Sequence, residues 1–497
     1  MRHGDTRPSS PLNRRRAGIL LHPTSLPGPG PHGDLGRDAH AFVDLLAEAG
    51  VTVWQMLPLG PTHEDGSPYQ CLSAHAGDTR LVNLAELVSV GWLDEPPAPP
   101  AGSAAYRQFH DDALRRTRAG FLAQAGAQDR DDYAQFCAKH ADWLDDYVLF
   151  VALRKEHGGR PWWQWESDLR GRAASAVSAA RSRLDEVLEQ LCFEQYLFYR
   201  QFRALKGHAN ARGIQLFGDI PIFVALDSAD VWASPQLFDL DAMGNPRTVA
   251  GVPPDYFSAT GQRWGNPLYV WERMREDGFR WWKARVHSQH ELFDLMRIDH
   301  FRGFEAYWEI PASEPTAMHG HWVKAPGEAL FEALLDEFGE LPLVAEDLGV
   351  ITPEVEALRD RFSLPGMKIL QFAFDGGPAN PYLCHNHVPN CVVYTGTHDN
   401  DTTAGWFEGL SEPARGRVLD YLGKPCESMP WPLIRLALAS VARLAVLPMQ
   451  DVLGLGSEAR MNTPGTTEGN WGWRFAWSEV PAELAPRLRR LIELYGR

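Results

Sequence analysis

Short apolar segments recur along the chain, and each one ends in polar or glycine residues. Their side chains are mostly β-branched or large and apolar, which is the pattern of buried strands. The eight segments are AGILLH (17–22), TVWQMLPL (52–59), IQLFGDI (214–220), LMRIDH (295–300), LPLVAEDLG (341–349), MKILQFAFD (367–375), CVVYTGTHD (391–399) and AVLPMQDVLG (445–454). We therefore predict eight strands in this order.

Helical patterns separate several of these strands, for example at residues 37–49 and 327–337. Strands that alternate with helices form βα units and pair in parallel. Eight such units predict an α/β fold, a (β/α)8 TIM barrel with helical and loop insertions. The residues after the eighth strand are too few for a separate C-terminal domain of usual size.

Two long intervals interrupt the alternation of strands and helices. Residues 60–213 include the proline-rich DEPPAPPAG (94–102) and long helical stretches, which predicts a largely helical insertion between strands 2 and 3. Residues 221–282 are rich in Gly, Pro and Trp, which predicts an insertion with a substrate-covering loop between strands 3 and 4. Residues 1–16 are basic and are expected to form a flexible tail, which leaves 17–497 as the catalytic barrel.

The charge balance limits the classes of partner. The chain has 497 residues, with 48 Lys and Arg against 64 Asp and Glu, and a formal net charge of −16. Nucleic-acid binding needs basic residues that displace counterions from phosphates, so no nucleic-acid partner is expected. The apolar stretch 433–447 is broken by Arg435 and Arg443 and is shorter than the roughly 20 residues that cross a bilayer, so no membrane partner is expected. Six dispersed cysteines fit a reducing cytoplasm.

Acidic residues close five of the predicted strands, where the catalytic loops of a TIM barrel lie. Like charges held together raise one another's pKa and cost stability, so a fold that gathers them generally does so for a metal or for acid–base chemistry. Any single one is also compatible with a helix cap or an ion pair. The residues are Asp219, Asp299, Glu346 with Asp347, Asp375, and Asp399 with Asp401.

Two of these carboxyl groups have complementary surroundings. Arg297 and Asp299 are two residues apart on a strand, so both side chains lie on the same side and a positive charge stands beside Asp299. Asp299 therefore suits a nucleophile. Glu346, crowded by an anionic neighbour and apolar walls, would keep its proton longer and suits an acid. Such a pair matches retaining glycoside chemistry, in which one group attacks the anomeric carbon and the other protonates the leaving oxygen.

Other site chemistries have less support. The sequence lacks the His pair with Glu of zinc hydrolases, a Walker-type phosphate loop, GxGxxG after the first strand and the GxSxG of serine hydrolases. CHNHVPNC (384–391) is the only local Cys/His group, and its spacing does not match paired zinc ribbons. We expect no metal and no cofactor.

Aromatic residues accompany the acidic ones on Gly- and Pro-rich segments beside the strand ends. Most aromatic side chains belong to the core. A sugar ring, however, stacks its apolar C–H face on an aromatic surface while its hydroxyls take hydrogen bonds, so a carbohydrate groove needs both residue types. The candidates are Tyr69, Tyr256, Trp264, Trp471 and Trp473.

These motifs resemble those of the 4-α-glucanotransferases of the amylomaltase, or disproportionating-enzyme, family. The most specific are RIDHFRG (297–303), AEDLG (345–349) and GTHDN (396–400), and matching segments cover nearly the whole chain. The resemblance implies a barrel related to that of α-amylases but without their C-terminal β-sandwich domain. It also implies a retaining transfer of α-1,4-glucan segments, from donors such as maltooligosaccharides, amylose and glycogen-derived dextrins, to another glucan or to glucose.

The resemblance also implies roles for single residues. Asp299 would be the nucleophile, Glu346 rather than Asp347 the general acid/base, and Asp399 rather than Asp401 the third carboxylate. Arg297 would support Asp299, and His398 would bind the sugar on the donor side of the cleaved bond. Small departures from the family pattern at His32 and His75 concern only the shape of the first two loops. The groove would be lined by Ser67, Tyr69, Asp219, Gln262, Trp264 and Asn470.

Three functions are compatible with the residues alone: a glucanotransferase, a retaining α-glucan hydrolase with the same three carboxylates, and a catalytically silent glucan-binding protein. Barrel chemistry does not separate transfer from hydrolysis, and only the resemblance favours transfer. The expected partners are α-1,4-glucans and glucose.

Overall fold

The computed structural model describes residues 12–96, 98–100, 102–254 and 258–497. Its strands are β1 (Arg16–Leu20), β2 (Val53–Gln55), β3 (Gln215–Ile220), β4 (Thr248–Val252), β5 (Gln262–Pro267), β6 (Leu295–Ile298), β7 (Ala306–Pro311), β8 (His321–Lys324), β9 (Leu343–Ala345), β10 (Gly366–Ile369), β11 (Cys391–Tyr394) and β12 (Leu444–Pro448). Its α-helices are α1 (Arg37–Glu48), α2 (Leu84–Ser89), α3 (Ser103–Gln124), α4 (Ala127–Glu156), α5 (Ser167–Arg170), α6 (Ala174–Ala211), α7 (Ala229–Ala233), α8 (Trp271–Glu276), α9 (Arg280–Leu292), α10 (Gly327–Phe338), α11 (Pro353–Arg361), α12 (Thr403–Gly409), α13 (Glu412–Tyr421), α14 (Trp431–Ala439), α15 (Met449–Leu453) and α16 (Leu484–Leu494).

Eight strands form a parallel barrel. Their order is β10-β11-β12-β1-β2-β3-β6-β9, and every neighbouring pair is parallel. The N–H of Ala345, at the end of β9, donates a 2.9 Å hydrogen bond to the carbonyl of Pro365, just before β10, and this contact joins the two ends of the sheet. The predicted (β/α)8 barrel is confirmed. After β12 the described residues form the helices α15 and α16 and no further sheet.

The strands bury side chains on both faces, which explains why they are continuous apolar runs rather than alternating ones. Along β12, Leu444 and Val446 belong to the cluster inside the barrel, whereas Ala445 and Leu447 pack in the outer cluster between sheet and helices. The inner cluster also contains Phe217. A filled interior of this kind leaves the strand ends as the place for a site.

The observed strands are shorter than the predicted segments. Within residues 367–375, β10 ends at Ile369 and Leu370–Phe372 forms a short 3-10 helix. Asp375 therefore does not close a strand. It lies on an exposed loop, where its carboxylate accepts from the Asn380 side chain at 3.2 Å.

Helices α2 to α6 occupy the interval between β2 and β3. The longest, α6, packs against α1, α4 and β3. Its buried aromatic residues lie on two faces, Phe193 with Tyr196 on one and Phe198 with Phe202 on the other, so packing on both sides stabilises this long helix. Residues 60–213 are thus mainly helical, and α6 also packs against the barrel strand β3.

A second, antiparallel sheet lies outside the barrel, in the order β5-β4-β7-β8. Strands β4 and β5 come from the predicted insertion at 221–282. Strands β7 and β8, which follow β6, were not predicted. β7 pairs with β4, with Val249 opposite Ile310, and β8 pairs with β7. The predicted end of the insertion, residue 282, falls inside α9, the helix that leads into β6.

The N-terminal segment is partly structured. Residues 1–11 of the predicted tail lie outside the described residues, but Leu12 is buried and β1 begins at Arg16. Arg15 donates to the carbonyls of Leu438 and Ser440 at 2.9 and 2.7 Å, which ties this segment to the end of α14. Among the described residues, no helix is long and apolar enough to cross a membrane.

Candidate active site

Arg297 lies at the centre of the site and joins two carboxylates. It faces Asp219 across the β3–β6 pair, and its guanidinium donates to Asp219 at 2.5 Å and to Asp299, two residues further on, at 2.6 Å. The side chains of Arg297 and Asp219 are 6% and 0% exposed. Burial alone would lower the pKa of Arg297, but the charges of Asp219 and Asp299 outweigh it and raise the pKa well above its ordinary value. The guanidinium therefore remains a cation that orients both acids.

Tyr69 connects this ion pair to the aromatic wall. Its hydroxyl donates to Asp219 at 2.8 Å, and its ring stacks on His398 with centroids 5.3 Å apart and an interplanar angle of 15°. The Trp471 ring leans on the same pair, 6.1 Å from each. Burial and the Asp219 carboxylate raise the pKa of Tyr69 well above its ordinary value, so the phenol stays protonated and remains a donor.

Glu346 follows β9 and lies beside the residues that follow β6. One carboxyl oxygen accepts from the backbone N–H of His300 at 2.6 Å, and the other accepts from Leu348 N–H at 3.2 Å. Burial, together with the charge of Asp299, raises the pKa of Glu346 to about 8, although Arg297 opposes the shift. At neutral pH, therefore, Glu346 carries its proton while Asp299 is paired with a cation.

Asp399 lies on the loop after β11 and faces solvent more than the other acids, since its side chain is 45% exposed. Its carboxylate accepts from the Asn462 side-chain amide at 2.7 Å, and its carbonyl accepts from Arg460 at 2.7 Å. The neighbouring His398 is buried, with its Nε2 3.3 Å from the Asp399 carboxylate. Such an arrangement leaves a carboxylate oxygen open to a ligand.

The remaining predicted groove residues surround this centre. The Trp264 indole donates to Gln262 at 3.1 Å, and its ring meets His300 edge to face at 4.9 Å. Ser67 accepts from the N–H of Tyr69 at 3.3 Å. Asn470 accepts from the N–H of Thr463 at 2.9 Å, so its side chain shapes its own loop, the one that carries Trp471. Tyr256 lies outside the described residues.

Three acids from the sequence pattern are engaged elsewhere. Asp347 binds Arg359 and the backbone N–H of Met367, the latter at 2.7 Å, so it anchors α11 and β10. Asp401 accepts from the Ser457 hydroxyl at 2.7 Å. Asp375 is exposed in its loop, as described above. The carboxyl groups gathered at the site are thus Asp219, Asp299, Glu346 and Asp399.

Two residues of the site were not found by sequence reasoning. His300 has a left-handed backbone (φ 50°), which directs its N–H at Glu346, and burial lowers the pKa of its imidazole to about 4. Asn462 holds Asp399 from a distant loop. The only available signal for His300 was its position between Asp299 and the apolar Phe301, and nothing singled out Asn462.

The described residues contain no group of three His, Cys, Asp or Glu side chains placed to hold a metal. In CHNHVPNC, His385 contacts the Pro378 carbonyl at 2.8 Å and His387 contacts the Ser440 hydroxyl at 2.8 Å. Burial raises the pKa of the Cys391 thiol to about 11 and that of Cys384 to about 12, so both stay protonated.

A family model for 4-alpha-glucanotransferase matches residues 21–479. The chain belongs to the 4-alpha-glucanotransferase family. The 4-alpha-glucanotransferase of Thermus thermophilus is 53% identical over 495 residues, which is 97% of this chain and 99% of the relative. That of Synechocystis sp. is 50% identical over 503 residues, 98% and 99% of the two chains.

Solved structures place this 4-alpha-glucanotransferase family member in the same fold. The amylomaltase from Streptococcus agalactiae in complex with acarbose superposes with a TM-score of 0.93, at 36% identity, over 97% of this chain and 100% of that one. The amylomaltase from Corynebacterium glutamicum has a TM-score of 0.77 at 18% identity, over 98% of this chain and 76% of that one, and shares the fold.

Proposed function

We propose that this protein is a retaining 4-α-glucanotransferase that moves α-1,4-glucan segments from a maltooligosaccharide or amylose donor to the 4-hydroxyl of a glucan or glucose. The observation that carries the proposal is the division of labour between two neighbouring carboxyl groups. Asp299 is paired with Arg297 at 2.6 Å, whereas burial raises the pKa of Glu346 to about 8. Two titratable groups with such different surroundings mark an acid and a nucleophile.

In the first step, the Asp299 carboxylate attacks the anomeric carbon while Glu346 gives its proton to the departing 4-oxygen. The shortened chain leaves with a free 4-hydroxyl, and a β-linked glucosyl-enzyme remains. In the second step, Glu346, now ionised, takes the proton of an acceptor's 4-hydroxyl as that oxygen attacks the same carbon and releases Asp299. Two inversions at one carbon give overall retention.

The other residues bind the sugar. Asp399, open to solvent on one side, would accept hydrogen bonds from ring hydroxyls, and these strengthen as the oxocarbenium-like transition state forms. His398 would bind the same sugar, and the Tyr69 ring would provide an apolar surface behind it. Trp264, which contacts His300, would provide a surface for the acceptor beside Glu346.

Transfer exceeds hydrolysis only when the groove holds an acceptor and limits water. We assign this role to the segment 250–269, which includes β5, and to the Tyr69 segment. Trp264 of β5 contacts His300, the residue after Asp299, and Tyr69 contacts Asp219. All six cysteines are free thiols, which favours a reducing compartment such as the cytoplasm.

Incubation with maltotriose tests the proposal. We expect glucose together with chains longer than maltotriose, and little increase in total reducing ends. A steep increase in reducing ends without longer products would instead identify an α-glucan hydrolase. If the Asp299→Asn variant kept the activity of the wild type, the proposed nucleophile would be wrong.

A further inference from the structure

One buried carboxylate holds both ends of the loop that carries His398 and Asp399. This loop, residues 395–403, runs from the end of β11 to the start of α12. Asp451, on α15, accepts from the Thr395 hydroxyl at 2.6 Å, from the Thr403 hydroxyl at 2.6 Å and from the Thr403 backbone N–H at 2.7 Å. The first and last residues of the loop therefore share a single partner.

Burying Asp451 is costly. Asp451 is 1% exposed, and Thr395 and Thr403 are both 0% exposed. Its three partners carry no formal charge, and Asp401 is an anionic neighbour. A buried carboxylate compensated only by neutral donors generally stabilises a fold less than a well-packed apolar residue would. Stability alone is thus a poor explanation for a carboxylate at this position.

Other hydrogen bonds hold the middle of the loop. The Gln371 side chain donates to the Asp401 carbonyl at 2.9 Å, and the Asn400 side chain accepts from the N–H of Thr397 at 2.8 Å. Asn462 and Arg460 contact Asp399 from outside the loop, at 2.7 Å each. Where the Asp399 backbone lies relative to these partners depends on where its own loop begins and ends. A displacement of about 1 Å in a group that acts on the transition state can cost about a hundredfold in rate.

We propose that Asp451 is a positioning residue for the transfer reaction. By holding Thr395 and Thr403 together, it sets the span of the loop, and it thereby directs Asp399 and His398 at the sugar ring. The inference rests on the sugar-binding roles proposed above for Asp399 and His398. It assigns to Asp451 a function that acts through the loop rather than through contact with substrate.

Asp451→Asn is the first test, because it keeps the shape but leaves a single acceptor oxygen, which cannot accept from both threonine hydroxyls and the Thr403 N–H as the carboxylate does. Asp34→Asn is the matched control, since Asp34 is also a buried carboxylate, which accepts from the Gly36 N–H at 2.9 Å and from the Asn83 amide at 3.0 Å. With maltotriose, we expect kcat of the Asp451 variant to fall by about 10- to 100-fold and KM to change by less than about threefold. The Asp34 variant should keep kcat within about twofold, at a comparable loss of Tm.

Thr395 provides a second test that does not require the carboxylate to be changed. Thr395→Ser keeps the hydroxyl and should keep kcat, whereas Thr395→Val keeps the shape and should lose kcat as Asp451→Asn does. Because both act on one contact, the double variant Asp451→Asn/Thr395→Val should lose little more than either alone. If Asp451→Asn does not fold, the comparison of Val with Ser at position 395 decides the matter.

The outcomes separate this inference from the proposed function. If the wild type gives no longer chains from maltotriose, the proposed function fails. If the wild type transfers but folded Asp451→Asn or Thr395→Val has wild-type kcat, the positioning role is wrong. An equal loss of kcat in Asp34→Asn would also overturn it, because a general loss of stability would then explain both.

Discussion

The backbone N–H of His300 lies 2.6 Å from the carboxyl group of Glu346, so the residue that follows the proposed nucleophile holds the proposed acid. The left-handed conformation of His300 makes this contact possible, because it turns the chain at the end of β6 toward the end of β9. The two groups of the double displacement are therefore coupled through the backbone as well as through charge.

Replacing Glu346 by Gln removes the transferable proton but keeps the hydrogen-bonding shape. We expect kcat with maltotriose to fall by about 10²- to 10⁴-fold, the usual contribution of a general acid. Glu194→Gln is the control, since Glu194 is also a glutamate whose pKa burial raises, to about 7, but it lies on α6 beside Gln190. A Glu346→Gln variant whose kcat stayed within tenfold of the wild-type value would exclude the acid role.

The raised pKa of Glu346 predicts a pH dependence of stability. Because the native state holds this proton more tightly than the unfolded chain, unfolding releases it, and the free energy of unfolding falls between the ordinary pKa of 4.5 and about 8. Glu346→Gln removes this loss, so its Tm should rise relative to the wild type as the pH is raised from 5 to 8. Thermal unfolding at several pH values measures the difference, and a constant difference would contradict the prediction.

The same group predicts the alkaline limit of activity. Glu346 must be protonated to act as the acid, so the rate of glucosyl-enzyme formation should fall as the pH rises through about 8. With an aryl maltoside whose leaving group needs no proton, the single-turnover rate should not fall as the pH rises through about 8. If the rates with maltotriose and with the aryl maltoside fell at the same pH, a group other than Glu346 would be titrating.

Breaking the buried ion pair should cost both stability and activity. Arg297→Met leaves Asp219 buried without its cation, and we expect a loss of about 3–5 kcal/mol in the free energy of unfolding. The double variant Asp219→Asn/Arg297→Met removes the isolated charge and should recover part of that loss, but no activity, since Asp299 still lacks its partner. Denaturant unfolding and maltotriose assays check the two readouts, and full recovery of activity would contradict the role of Arg297.

Trp264 should affect the fate of the glucosyl-enzyme more than its formation. Trp264→Ala removes the ring that packs on His300, the proposed acceptor surface. We therefore expect a higher KM for the acceptor and a larger share of hydrolysis, seen as reducing ends formed per glucose released. Trp308→Ala is the control, because Trp308 lies on β7 of the same sheet and packs on Trp322 at 5.1 Å. Equal product ratios in the two variants would exclude a specific role for Trp264.

The sequence could predict the barrel because each of its strands is buried on both faces and leaves a continuous apolar signal. It could also predict that the Arg297 and Asp299 side chains lie on the same side of the chain, because residues two apart on a strand point the same way. It could not predict that Asp219 is the second partner of Arg297, because that contact depends on the register between β3 and β6. The strand-end pattern named Asp219 only as one of several acids, and the resemblance assigned it to the groove.

The errors have local physical causes. Residues 370–375 are as apolar as a strand, but they follow the end of the β10–β11 ladder, and Leu370–Phe372 forms a 3-10 helix, which carries Asp375 away from the site. Strands β7 and β8 were missed because they are stabilised by pairing, β7 with β4 and β8 with β7, rather than by an internal pattern. Asn462 is a single amide in an irregular loop, and only its contact with Asp399 in the structure identifies it as part of the site.

The pairing of β1 with β12 has a consequence for biosynthesis. The first strand of the barrel to leave the ribosome finds one of its two neighbours only after residue 448 has emerged. Until then, β1 and β11 present unpaired strand edges, which are templates for association with other chains. Closure of long-range parallel pairs is also slow. The incomplete chain, with the edges of β1 and β11 still unpaired, is therefore more exposed to aggregation than the closed barrel.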